Sequence, residues 1–126
     1  MPTLVSVVDD DDSVREALQS LIRSTGLMVR VFASAEQFLE SNDFDKTACL
    51  VLDVRMPGMS GIELRRYLLS KGYQVPVIFM TAHASDEQSR AEAFSLGGIA
   101  YLVKPFHKSE LLDAIFRALK SNTRQA

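Results

Sequence analysis

The chain has 126 residues, with 14 Lys+Arg against 16 Asp+Glu, a formal net charge of −2 and a pI of about 5.6. With 47% hydrophobic and 24% charged residues it is composed as one globular domain with one sizeable core, which excludes a disordered chain. No apolar run approaches the roughly 20 residues that span a bilayer, and Met1-Pro2-Thr3-Leu4 lacks the layout of a signal peptide, so a soluble, cytoplasmic protein without membrane contact is expected. The one cysteine, Cys49, excludes an internal disulfide and a Cys-rich zinc site and reads as a small core residue. A charge of −2 offers little general attraction for nucleic acid.

Leu4-Val5-Ser6-Val7-Val8 is a nearly continuous apolar run of strand length that ends in the carboxylates Asp9 to Asp12, the pattern of a buried parallel strand. Val14, Leu18, Leu21 and Ile22 then share one helix face over roughly three turns, with Gly26 as the stop. Asp11 or Asp12 is the expected cap of that helix. Met28 to Phe32 is a second short strand, and Ser34 with Gln37 forms a capping box for a short helix through Phe38 and Leu39.

Cys49 to Leu52 repeats the buried-strand pattern and stops at Asp53, before the turn-rich Met56-Pro57-Gly58-Met59. Ser60 and Glu63 cap a helix that turns Ile62, Leu64, Leu68 and Leu69 inward and closes at Lys71-Gly72. Val75 to Met80 is the fourth strand. Ser85 with Gln88 is a third capping box, and the fourth helix, Glu87 to Leu96, contributes mainly Ala91 and Phe94 to an apolar stripe, which predicts weak docking. Ile99 to Val103 is the fifth strand, broken by Lys104-Pro105, and Leu111, Leu112, Ile115, Phe116 and Leu119 face inward from the last helix. Ser121 to Ala126 is expected to follow as a polar tail or the start of a linker, leaving residues 1–120 as the domain.

Five βα units with buried strands predict an α/β fold: a doubly wound, flavodoxin-like five-stranded parallel sheet of order 2-1-3-4-5 with helices on both faces. Ligands of such sheets bind outside the carboxyl ends of the strands, at the switch point between strands one and three. There the chain places Asp9 and Asp10, Asp53, Thr81 and Lys104. Carboxylates brought within about 5 Å by adjacent strands repel unless protonated or bridged by a cation. Hard oxygen ligands suit Mg²⁺, with Asp10 and Asp53 as the preferred ligands and Asp9 acting through water. Mg²⁺ beside a carboxylate suits phosphoryl transfer, in which the carboxylate is the nucleophile, Lys104 contacts a phosphoryl oxygen and Thr81 donates a hydroxyl. The product would be an aspartyl phosphate. Each residue alone has a plainer reading: a helix cap for Asp9 and Asp10, a strand-end hydroxyl for Thr81, a solvated lysine for Lys104. Their joint placement favours the site. His83 lacks a second His or Cys and reads as a loop side chain, and Tyr101 as half buried.

Val7-Val8-Asp9-Asp10-Asp11, Leu52-Asp53-Val54-Arg55-Met56-Pro57-Gly58-Met59-Ser60-Gly61, Val77-Ile78-Phe79-Met80-Thr81-Ala82-His83 and Lys104-Pro105-Phe106 together resemble the receiver domains of two-component response regulators. Phe32-Ala33-Ser34-Ala35-Glu36-Gln37-Phe38-Leu39 makes the resemblance most like the FixJ-type receivers. The resemblance implies that Asp53 accepts a phosphoryl group from a histidine kinase, and that Asp9, Asp10, Asp53 and the Arg55 backbone carbonyl hold Mg²⁺. It also implies that Thr81 and Tyr101 form a switch pair, that Lys104 contacts the phosphoryl group, and that the Lys104–Pro105 bond is cis. Ala100 departs from the family, which often has an acidic residue there, and Asp11 stands where Glu is frequent. The implied protein is a signalling switch and not an enzyme beyond its own phosphorylation and dephosphorylation. It would regulate transcription through a DNA-binding domain outside this chain, itself making no nucleic-acid contact, with a phosphorylation-dependent homodimer through helices four and five with strand five, or through helices one and five. Such a chain is the regulatory half of a transcription factor; the alternative is a standalone receiver acting by protein contact. A haloacid-dehalogenase-type phosphatase fits less well, because Arg55 stands where its second Asp would be. A flavodoxin-like cofactor binder is disfavoured by the lack of a glycine-rich phosphate loop, and no organic cofactor is expected.

Overall fold

A computed structural model describes residues 3–42, 44–82 and 87–125, the side chains of 122–125 excepted. His83 and the Ser85 half of the third predicted capping box lie outside the described residues. The elements are β1 (Leu4–Val8), α1 (Asp12–Arg23), β2 (Met28–Phe32), α2 (Ala35–Glu40), a 3-10 turn (Phe44–Lys46), β3 (Cys49–Asp53), α3 (Gly61–Ser70), β4 (Val77–Thr81), α4 (Glu87–Ser95), β5 (Ala100–Val103) and α5 (Lys108–Gln125). All strand pairings are parallel and the order is β2-β1-β3-β4-β5, as the sequence pattern predicts. Among the described residues no helix is long and apolar enough to cross a membrane.

The three inner strands are buried at every residue because helices cover both faces of the sheet. Alternate side chains therefore feed two cores. Val5, Val7, Val51, Ile78 and Met80 pack with Ile22 of α1 and Leu111 and Ile115 of α5. Val8, Leu50, Leu52 and Phe79 pack on the other face with Phe38 of α2 and Leu64 and Leu68 of α3. Ser6, the polar residue inside β1, is satisfied by the Thr47 hydroxyl at 2.7 Å. The helix starts follow local chemistry: Asp11 accepts from Ser13 N and Val14 N at the head of α1, and Ser60 and Glu63 form a reciprocal box on α3.

Several boundaries differ from the sequence reading. β4 starts at Val77, not Val75, because Pro76 has no N–H for the ladder and the Val75 carbonyl is bonded by Arg65. In α4 the buried residue is Ala93; Ala91 is exposed and Phe94 is 44% exposed, so the predicted stripe does not face the core. α5 turns Leu111, Ala114, Ile115 and Ala118 inward and leaves Phe116 45% exposed. It also continues to Gln125, since nothing after Lys120 is Gly or Pro and a polar segment propagates a helix that tertiary contacts have already nucleated.

Candidate functional site

The parallel register of β1 and β3 pairs Val8 with Leu52, so the next residue of each strand, Asp9 and Asp53, emerges side by side at the carboxyl edge. Asp9 is fully buried, Asp53 is 6% exposed and Asp10 is exposed. One oxygen from each of the three lies within 4.8 Å of the other two. Lys104 arrives from the end of β5, where its N–H donates to the Thr81 carbonyl at 2.7 Å. Its Nζ lies 2.7 Å from Asp9 Oδ2 and 3.4 Å from Asp53 Oδ2. The Lys104–Pro105 bond is cis, in agreement with the resemblance. Thr81 is fully buried at the end of β4, one residue beyond Met80, the register partner of Asp53. Arg55 is exposed, and its backbone N–H donates to Asp53 Oδ1 at 3.3 Å.

The electrostatics are unbalanced in one direction. Burial and the neighbouring Asp9 charge push the Asp53 carboxyl up to about 6, against the pull of Lys104 and the Arg55 N–H. Burial opposes the Lys104 ammonium, but hydrogen bonds and charge from Asp9 and Asp53 outweigh it and raise its pKa. Of the three grouped carboxylates two, Asp9 and Asp53, share one ammonium, a donor set that a hard divalent cation would neutralise. Two oxygens on one octahedral Mg²⁺ stand roughly 3–4 Å apart, so carboxylates grouped within 4.8 Å fit the ion. In Lys104→Met the Asp53 carboxyl should titrate above about 6, because an attraction is lost and the burial remains; carboxyl carbon chemical shifts against pH check this.

Some supporting groups were not singled out in the sequence. Arg15 Nη1 donates to the Asp9 carbonyl at 2.7 Å and pairs with Asp12, fixing the strand end that carries Asp9. Glu36 of α2 accepts from Met59 N at 3.0 Å and so holds the turn after Asp53. The first is foreshadowed by Arg15 lying one turn from the acidic run; no local signal announces the second. Tyr101, read as half buried, is buried at 9% exposure, with Arg90 of α4 lying 5.9 Å from its ring centroid.

A doubly wound sheet of this order, with acid and one lysine at its switch point, defines a flavodoxin-like domain with a pocket suited to a cation. The response regulator receiver domain family matches residues 5–116, and the chain belongs to that family. It is 45% identical over 125 residues to the response regulator protein TodT of Pseudomonas putida, covering 98% of this chain and 54% of TodT. It is 41% identical over 121 residues to the transcriptional regulatory protein FixJ of Azorhizobium caulinodans, covering 96% of this chain and 57% of FixJ. Among solved structures it superposes on the response regulator StyR with a TM-score of 0.91 at 44% identity, over 99% of this chain and 63% of that one. The FixJ-N structure gives a TM-score of 0.84 at 36% identity, over 95% of each chain. The chain spans about half the length of the curated relatives it matches.

Proposed function

We propose that this domain is a phosphorylation switch in which Asp53 accepts a phosphoryl group from a histidine kinase. The carrying observation is the Asp53 carboxylate itself, 6% exposed, beside two further carboxylates and 3.4 Å from Lys104 Nζ. An Asp53 carboxylate oxygen attacks the phosphorus of a phosphohistidine, a P–O bond forms, the P–N bond breaks, and the imidazole, already protonated on its other ring nitrogen, takes the bonding pair and leaves neutral. Asp9, Asp10, Asp53 and the Arg55 carbonyl would hold Mg²⁺, which supplies charge neutralisation on the transferring group. Lys104, already between Asp9 and Asp53, offers an ammonium to a phosphoryl oxygen, and Thr81 a hydroxyl.

The phosphoryl group adds charge and acceptor oxygens, and contacts to Thr81 and Lys104 made in one state only would shift a pre-existing equilibrium. Thr81 and Tyr101 then relay the change to α4, β5 and α5, the face that would dimerise. The output is transcription, through a DNA-binding domain carried elsewhere in the whole protein, in the cytoplasm. The similarity to transcriptional regulators supports this output, and the BeF3-activated DrrB receiver domain, which this chain matches at 32% identity with a TM-score of 0.83, supports the phosphorylation switch. Intact mass after acetyl phosphate with Mg²⁺ tests the acceptor: the wild type gains one phosphoryl group and Asp53→Asn gains none. The same adduct on both proteins overturns the assignment.

A further inference from the structure

Arg65 is a charged residue on α3 that is 5% exposed, and no carboxylate among the described residues pairs with it. Burial pushes its pKa down, yet a guanidinium stays charged, so its place in the interior needs compensation. Among the described residues its two partners are backbone carbonyls. Nε donates to Leu96 O at 3.0 Å and Nη1 to Val75 O at 2.6 Å. Leu96 directly follows α4, so the cation sits on the negative end of that helix and satisfies a carbonyl left without an intrahelical partner.

The turn after α4 is built around this contact. A Cβ on Gly97 would stand 3.3 Å from Arg65 Nη2, and one on Gly98 would meet the Phe79 ring at 3.0 Å and Ala93 O at 2.9 Å. Elsewhere, among the described residues, α4 has one buried residue, Ala93, and its other contacts are the exposed Arg66–Glu92 pair to α3 and the packing of Arg90 and Phe94 beside Tyr101. Among the described contacts of α4, the buried fork lies at its carboxyl end, and those nearer its amino end are the Arg66–Glu92 pair and Arg90 beside the Tyr101 ring.

We infer that Arg65 is a positioning residue that pins the carboxyl end of α4 to α3 and to the entry of β4, so that α4 pivots about Leu96–Gly98. The pin stands on contacts alone; only the signal that moves the helix rests on the switch reading above. Native-state amide exchange with urea dependence tests it. The reporters are the Leu96, Gly97 and Gly98 amides, which donate to Glu92, Phe94 and Ala93 carbonyls.

In Arg65→Met these three amides should exchange roughly tenfold or more faster, beyond the acceleration seen at β1 and α1, because charge-assisted hydrogen bonds are lost. Their opening should be insensitive to low urea, as for local unfolding. Arg65→Lys keeps the charge but cannot fork between two carbonyls, so it should restore overall stability more than local protection. Arg66→Gln, a control on an exposed pair, should change the reporters by less than about fivefold. Uniform acceleration along the chain makes Arg65 a merely structural residue and overturns the inference, as does unchanged protection at Leu96–Gly98. Should Arg65→Met not fold, Arg65→Lys against wild type decides by the same comparison. Beryllofluoride with Mg²⁺ should alter exchange in residues 87–92 of the wild type and extend that change through Leu96–Gly98 in Arg65→Met. If neither protein responds to beryllofluoride, the phosphoacceptor reading fails while the pin remains judged by the first comparison.

Discussion

Asp53→Asn should stabilise the metal-free domain by about 2 kcal/mol at neutral pH, and the gain should vanish below roughly pH 4. Burial and Asp9 raise the Asp53 carboxyl from 3.8 to about 6, a shift that corresponds to at most ~3 kcal/mol between its two protonation states. A carboxyl whose pKa is higher folded than unfolded favours the fold below the unfolded value, and that contribution is lost as pH rises through the folded value. The wild type therefore weakens relative to Asp53→Asn between about pH 4 and pH 6 and runs parallel to it above. Urea unfolding across this range without divalent cations reads the difference. A constant gap, or a gap that grows toward acid, refutes the account. Mg²⁺ should then narrow the gap, because an ion bound to the native carboxylates stabilises only the folded wild type.

Gly61→Ala should cost about 3 kcal/mol or more, although glycine to alanine within a helix ordinarily stabilises. A Cβ on Gly61 would lie 2.2 Å from the Asp53 backbone oxygen and 3.0 Å from its carbonyl carbon. No side-chain rotation relieves a clash with backbone, so either α3 moves out or the end of β3 does. The Gly61 N–H also donates to Val54 O at 2.9 Å, which ties the start of α3 to the acceptor loop, so Asp53 is displaced in either case. Gly72→Ala is the informative contrast: φ is +83° with nothing near, so its cost is strain alone, about 1–2 kcal/mol, without effect on the site. Urea midpoints for the two variants, with phosphoryl incorporation measured on each, separate the mechanisms. Equal midpoints and equal incorporation would show that α3 does not need to approach the acceptor strand so closely.

The order of elements and the carboxylate cluster were legible for a common reason. A strand buried on both faces must be apolar throughout, so its end is marked by the first polar residue, and in a parallel sheet those ends share one edge. Asp9, Asp53, Thr81 and Lys104 could be placed together on that ground before any coordinates. The apolar face of α4 was misread because Phe94 outweighs Ala93 in hydropathy, yet Phe94 packs beside Tyr101 at the surface, 6.3 Å between ring centroids, while Ala93 fits the tight approach to the sheet. The end of α5 was misread because polarity marks exposure, not the end of a helix.

What the sequence determined by itself is the parallel βα frame and the chemistry at its carboxyl edge, since both follow from short-range pattern and chain order. The tertiary structure alone decided the inward setting of Tyr101, the Glu36 hold on Met59 N, and the burial of Arg65. Each depends on partners far along the chain: Arg65 bonds carbonyls 10 and 31 residues away. A buried cation satisfied by distant backbone leaves no periodic trace in a sequence, because the groups that compensate it are carbonyls every residue carries.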